Sequence, residues 1–204
     1  MDTSWFLGLT GFAFAMAATP GPNNIMVMAS GAAFGLARTL PLMAGIGFGV
    51  AAMMLIVAGF GPATVANPRV GAALKWIGTA YLLWLAWKIA QANPHPAVRN
   101  ASDPVPDVPL SFLDGAVFQC VNPKLWVMAS GAVVTYGQAS DFDQTMLSAL
   151  FAAVFGGITF LSTIAWTALG ASAGRFLTSA SAIRRFNLAM AALLVASLVP
   201  VIFD

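Results

Sequence analysis

Apolar residues run along this chain in six long blocks, and polar residues gather between the blocks rather than alternating through them. The blocks cover about residues 5–37, 40–60, 74–89, 112–136, 146–169 and 186–203. Leu, Ala, Met and Gly dominate them, and no period-two alternation of the kind that marks a half-buried strand is visible, so they predict helices. Crossing a bilayer takes about 20 apolar residues, and only helices or closed barrels satisfy the backbone there. The pattern therefore predicts an all-α membrane protein with six transmembrane helices. One stretch reads as a true loop, "QANPHPAVRNASDPVPDVPL", Gln91 to Leu110, whose prolines and polar residues favour an extended, solvated chain.

Composition strengthens this picture. Of 204 residues, 59% are hydrophobic and 8% are charged, where a soluble domain carries roughly a quarter charged. Mean hydropathy is +0.84. The opening "MDTS" places an acid where a leader needs a basic residue, and the run behind it is too long for a leader's core, so no cleavable leader is expected. A net charge of +2 gives no reason to expect nucleic acid. The single Cys120 excludes an internal disulfide and a CxxC motif. No His, Cys or acid cluster has metal-ligand spacing, no nucleophile–base pair is visible, and His95 falls in the loop. Neither an enzyme nor a cofactor is expected.

Basic residues set the expected orientation. With both termini outside, the cytoplasmic connections hold Arg38, Lys88, Arg99, Arg175, Arg184 and Arg185, against Arg69 and Lys75 opposite. Basic residues concentrate on the cytoplasmic side of membrane proteins, so loop 91–110 is expected there. Asp141 and Asp143 then fall outside.

An internal repeat organises the chain. "IMVMASGA", Ile25 to Ala32, returns as "LWVMASGA", Leu125 to Ala132, and each copy follows a break, "PGPNN" or "VNPK". Residues 1–90 and 111–204 then form two three-helix units around the loop at 91–110. Because three is odd, the second unit enters the membrane in the opposite sense. Such a 3+3 inverted-topology repeat is a common construction of secondary transporters, with the site at the repeat interface on broken helices.

The breaks have a physical cause. Pro20, Pro22 and Pro123 lack an amide hydrogen, which deprives the carbonyls of Met16, Ala18 and Gln119 of their helical donors. Gly21 lets the chain bend between the first two. Unpaired backbone groups cost several kcal/mol each in hydrocarbon, so they are tolerated only against protein or a water-filled cavity. Asn23 and Asn24 stand where a new helix begins, and by the repeat a second start falls at Asn122, Pro123 and Lys124. A helix N-terminus suits an anion such as a carboxylate. The alternative is a kink used only for packing.

Lys124 adds a charge in mid-span, at a cost of roughly 2.5–3.5 kcal/mol on insertion scales. The one acid within a span is Asp114, about ten residues away at the start of the same helix. A substrate carboxylate is thus a candidate counter-ion; a lysine that snorkels from a shorter helix is the alternative. GxxxG pairs at Gly31/Gly35, Gly45/Gly49 and Gly170/Gly174 predict close helix packing and leave a homodimer open. Trp76, Tyr81, Trp84, Trp87 and Trp126 mix interfacial and interior positions.

In order and spacing, "FAMAATPGPNNIMVMASGAAFGLARTLPLMAGIGFG", "LKWIGTAYLLWLAWK" and "FLDGAVFQCVNPKLWVMASGA" resemble the LysE/RhtB family of amino-acid exporters over nearly the whole chain. The resemblance implies export of amino acids or analogues from the bacterial cytoplasm through the inner membrane, linked to the proton motive force. It puts functional weight on Pro20, Gly21, Pro22, Asn23, Asn122, Pro123 and Lys124. Members exporting lysine or arginine are expected to hold acids within the membrane, and the second block has none. A neutral substrate resembling threonine, homoserine or leucine is the expectation. Whether Lys124 titrates or water and substrate carry the coupling stays open.

The expected site follows. The substrate carboxylate meets Lys124 and the helix start at Asn23 and Asn24, and its amino group meets freed carbonyls at Met16, Ala18 or Gln119. Phe118, Trp126 and Tyr81 are candidate side-chain contacts. A metal-ion or other cation transporter of related architecture is the alternative; it would need ligating groups within the spans.

Overall fold

The computed structural model describes residues 3–60, 68–91, 109–137, 142–177 and 179–199, with only the backbone over 68–75. All regular structure among the described residues is helical: α1 (Thr3–Ala18), α2 (Pro22–Phe60), α3 (Pro68–Gln91), α4 (Phe112–Val121), α5 (Pro123–Tyr136), α6 (Gln144–Gly174) and α7 (Ala180–Ala196). By length and composition, α2 and α6 can cross a membrane. Most of the stretch read as a polar loop, residues 92–108 with His95 and Arg99, lies outside the described residues, as do Asp141 and the side chains of Arg69 and Lys75.

Both expected breaks are present. Residues 19–21 separate α1 from α2, and Asn122 alone separates α4 from α5. Pro22 and Pro123 each open a helix, where a missing N–H costs nothing. The third block begins earlier than its apolar edge, at Pro68, for the same reason. The sixth starts at Ala180 because Ser179 caps it, accepting from the Ala182 amide.

Gly35 departs from its expected role. Read as half of a packing pair, it instead turns α2 midway, with φ 79° and ψ 173° and nothing within 4 Å of where a Cβ would stand. That backbone region is essentially reserved to glycine. The boundary between the first two blocks therefore falls here, a few residues before the polar Arg38 and Thr39 that marked it in sequence. Gly35→Ala is expected to destabilise the protein by about 1–3 kcal/mol through strain alone; an unchanged thermal midpoint in detergent would contradict this.

The other predicted glycines do pack. A Cβ on Gly45 would strike the Phe112 carbonyl, and one on Gly49 the Ala116 carbonyl, while Gly115 faces the Leu42 carbonyl in return. Gly31 lies against Thr167, Gly170 against the Met28 carbonyl and Gly174 against the Ala32 carbonyl. Helix α2 is thereby clasped by α4 along its second piece and by α6 along its first. Two apolar clusters fill the spaces between: one centred on Leu9, Met54, Phe151 and Phe155, the other on Val27, Ile46, Leu82 and Phe118.

Large apolar side chains cover much of the exterior, while several polar ones are buried beside the apolar clusters. Phe14, Phe60, Trp87 and Leu161 are exposed, whereas Gln119, Asn122, Thr163 and Thr167 are at most 2% exposed. An exterior this apolar is matched to lipid rather than water. The α3 aromatics divide accordingly: Trp76, Trp84 and Trp87 face outward, while Tyr81 stacks on Phe118 with ring centroids 5.2 Å apart.

Candidate functional site

The two breaks meet. Lys124, in the first turn of α5, crosses to the end of α1 and donates from Nζ to the Thr19 carbonyl at 2.9 Å. It lies directly over Gly21, where a Cβ would stand 3.1 Å from both the lysine Cδ and Nζ. Glycine at this position thus supplies room for the lysine as well as a bend.

The loose end of α1 is closed by side chains from elsewhere. Asn24 Nδ2 donates to the Ala17 carbonyl at 2.8 Å and the Thr19 carbonyl at 3.0 Å, and Ser162 Oγ of α6 donates to Ala17 at 2.9 Å. The carbonyls engaged in this way are Ala17 and Thr19. At the second break, the Asn122 amide takes the Gln119 carbonyl at 3.3 Å. Trp126 Nε1 donates to the Cys120 carbonyl at 2.8 Å. In a continuous helix the Cys120 carbonyl would receive the Lys124 amide. Trp126 therefore closes the backbone break.

A buried amide network joins the breaks. Gln119 is fully buried; its Nε2 donates to Asn23 Oδ1 at 3.0 Å and the Gly115 carbonyl at 2.9 Å. Its Oε1 accepts from Asn23 Nδ2 and Asn122 Nδ2, each at 3.1 Å. The Gly115 carbonyl can only accept, which fixes the orientation of the Gln119 amide and hence of its two partners.

Between these groups lies a small, partly open cavity lined by Met16, Ala17, Gly21, Pro22, Asn23, Asn24, Val50, Asn122, Lys124, Leu125, Met128 and Thr159. Of the residues expected at the site, Gly21, Pro22, Asn23, Asn24, Asn122 and Lys124 line it. Gln119 stands behind the wall as the hub of the network. Pro20 and Pro123 shape the breaks without lining the cavity, and Trp126 stabilises the second one. Phe118 and Tyr81 stack together in the core away from it.

Sequence reading missed Ala17, Val50, Leu125, Met128 and Thr159 as lining residues. Thr159 had a usable signal, since Thr159, Thr163 and Thr167 recur every four residues and place hydroxyls on one face of α6. Among the described residues, no carboxylate, imidazole or thiol lines the cavity. Asp114 is occupied elsewhere, capping α4 by accepting from the Ser111 amide at 2.7 Å. Among the described residues, no group of three or more His, Cys, Asp or Glu is placed to hold a metal.

An apolar-coated helical protein with a polar cavity at two helix breaks has the form of a small-solute carrier. The chain belongs to the LysE type translocator family, which matches residues 14–201; its members are inner-membrane transport proteins rather than enzymes. It is 31% identical over 121 residues to cysteine/O-acetylserine efflux proteins of Klebsiella pneumoniae and Salmonella typhi. An Escherichia coli protein of the same description is 30% identical over 121 residues. Each alignment covers 59% of this chain and 59% of the relative's own length. No solved structure matches the chain.

Proposed function

We propose that this protein exports small neutral amino acids, or close analogues, from the cytoplasm across the bacterial inner membrane, driven by the proton motive force. The observation that carries this reading is the cavity at the paired breaks, which holds the Lys124 ammonium and no carboxylate to neutralise it. The substrate's own carboxylate supplies the missing charge, assisted by the first-turn amides of α2 at Asn23 and Asn24. Absence of acids from the lining disfavours a lysine- or arginine-like side chain. The small, uncharged side chains of cysteine and O-acetylserine, named for the related efflux proteins, agree with Val50, Leu125 and Met128 as apolar walls.

The architecture that fits this reading is six spans in a 3+3 inverted repeat. α1 with the first piece of α2 makes the first span and α4 with α5 the fourth, each broken by proline. The rest of α2 and α3 complete residues 1–90, and α6 and α7 complete 111–204, with 91–110 and its basic neighbours cytoplasmic and both termini outside. Rocking of one half against the other would expose the cavity alternately. The protein works with its substrate, protons and the bilayer, either singly or as a homodimer.

The test is efflux from proteoliposomes of purified protein loaded with labelled amino acids. Release of a neutral amino acid, accelerated by an imposed proton gradient and absent for lysine, is the expected result. Folded protein that moves no amino acid would remove the reading.

A further inference from the structure

Asn122 is a helix-capping residue that does not cap. It stands at the N-cap of α5, where an asparagine oxygen ordinarily accepts a first-turn amide, yet its side chain makes no such bond. Its Nδ2 is held by Gln119 Oε1 at 3.1 Å, which turns Oδ1 away from that role. The residue is 2% exposed and lines the cavity, and Oδ1 is buried without a hydrogen-bond partner. Buried polar atoms are nearly always paired, so an acceptor held in this way calls for a donor that arrives from outside the protein. Gln119 cannot rotate to supply one, because its own Nε2 is committed to Asn23 and the Gly115 carbonyl.

We propose that Asn122 Oδ1 is the acceptor for the substrate's α-ammonium, with Gln119 as the positioning residue that presents it, so that the carrier requires a free α-amino group. This rests on the exporter reading above. The two charges of a zwitterion are then met by neighbours on one helix turn: the carboxylate by Lys124 and the ammonium by Asn122, two residues before it. A donor is demanded here because the oxygen is unpaired without it. A site built to hydrogen-bond a substrate group rejects the analogue lacking that group strongly, since its own buried atom is then left unsatisfied.

The discriminating probe is the des-amino analogue of whichever amino acid is exported, in which hydrogen replaces the amino group. It is smaller than the substrate, so exclusion by size cannot explain its rejection. In proteoliposomes, the wild-type protein is expected to prefer the amino acid over this analogue by about 10²-fold or more. Asn122→Leu, close to isosteric, should reduce that preference to about tenfold or less. Equal transport of both compounds by the wild-type protein would overturn the inference while leaving the exporter reading intact. A full preference in folded Asn122→Leu would likewise overturn it. If the leucine variant does not fold, the wild-type comparison still decides. Export of no amino acid at all would end both proposals.

Discussion

Lys124→Ala is expected to lower amino-acid export by on the order of 10²-fold, with the protein still folded and present in the membrane. A charge-assisted hydrogen bond to a carboxylate contributes about 1.5–3 kcal/mol, and each 1.4 kcal/mol is tenfold. Among the described residues, Lys124 donates to the neutral Thr19 carbonyl. Removing a partly buried ammonium that has no counter-ion among the described residues therefore costs the fold little, because its desolvation penalty disappears with it. Thr19 is also bonded by Asn24, so its carbonyl does not become an orphan.

Lys124→Arg is expected to recover only part of the activity. The lysine tip already fills the space over Gly21, and a planar guanidinium is wider than an ammonium. Gly21→Ala offers the converse test, because its new Cβ would press on the flexible lysine end at 3.1 Å and lower export without removing the charge. Efflux from proteoliposomes of matched protein content measures all three. Wild-type rates in Lys124→Ala would remove the carboxylate partner from the proposed mechanism.

Much of this site was legible in the sequence, and the reason is local. A proline cannot continue the hydrogen-bond ladder wherever it stands, so Pro20, Pro22 and Pro123 announced both breaks without reference to any other residue. Lys124 was conspicuous because a charge within an apolar block is expensive. The repeat places the two breaks at corresponding positions of the two halves. What stayed hidden depends on long-range contacts. Which carbonyls at the α1 end are taken by side chains is decided by Asn24 and Ser162, the second 145 residues away from Ala17. Tyr81 and Phe118 were expected beside the substrate, and their stacking in the core follows from how α3 meets α4, which no single block encodes. Gly35 and Gly31 look alike as a GxxxG pair. Only the tertiary fold separates the one that turns the chain from the one that packs.

The packing glycines carry the second large effect, this time on stability. Gly170→Leu is expected to prevent stable folding or to lower the thermal midpoint by roughly 10 °C, the equivalent of about 3 kcal/mol for a chain of this size. A Cβ there would overlap the Met28 carbonyl, which is backbone and cannot swing aside as a side-chain tip can. Relief requires α6 to move away from the first piece of α2, and Gly174 and Gly31 lie in the same seam. That movement would also pull Asn23 and Asn24 from the cavity wall, so export should fall with stability rather than independently of it. Gly157→Leu is the control, since Gly157 is exposed on the same helix with nothing within 4 Å of its Cβ direction. An added apolar side chain facing lipid there should leave the midpoint within about 2 °C, the shift of a surface change of about 0.5 kcal/mol. Equal behaviour of the two variants in a detergent melting assay would show that α2 and α6 are not in backbone contact. The clasp that aligns the first break with the second would then have to lie elsewhere.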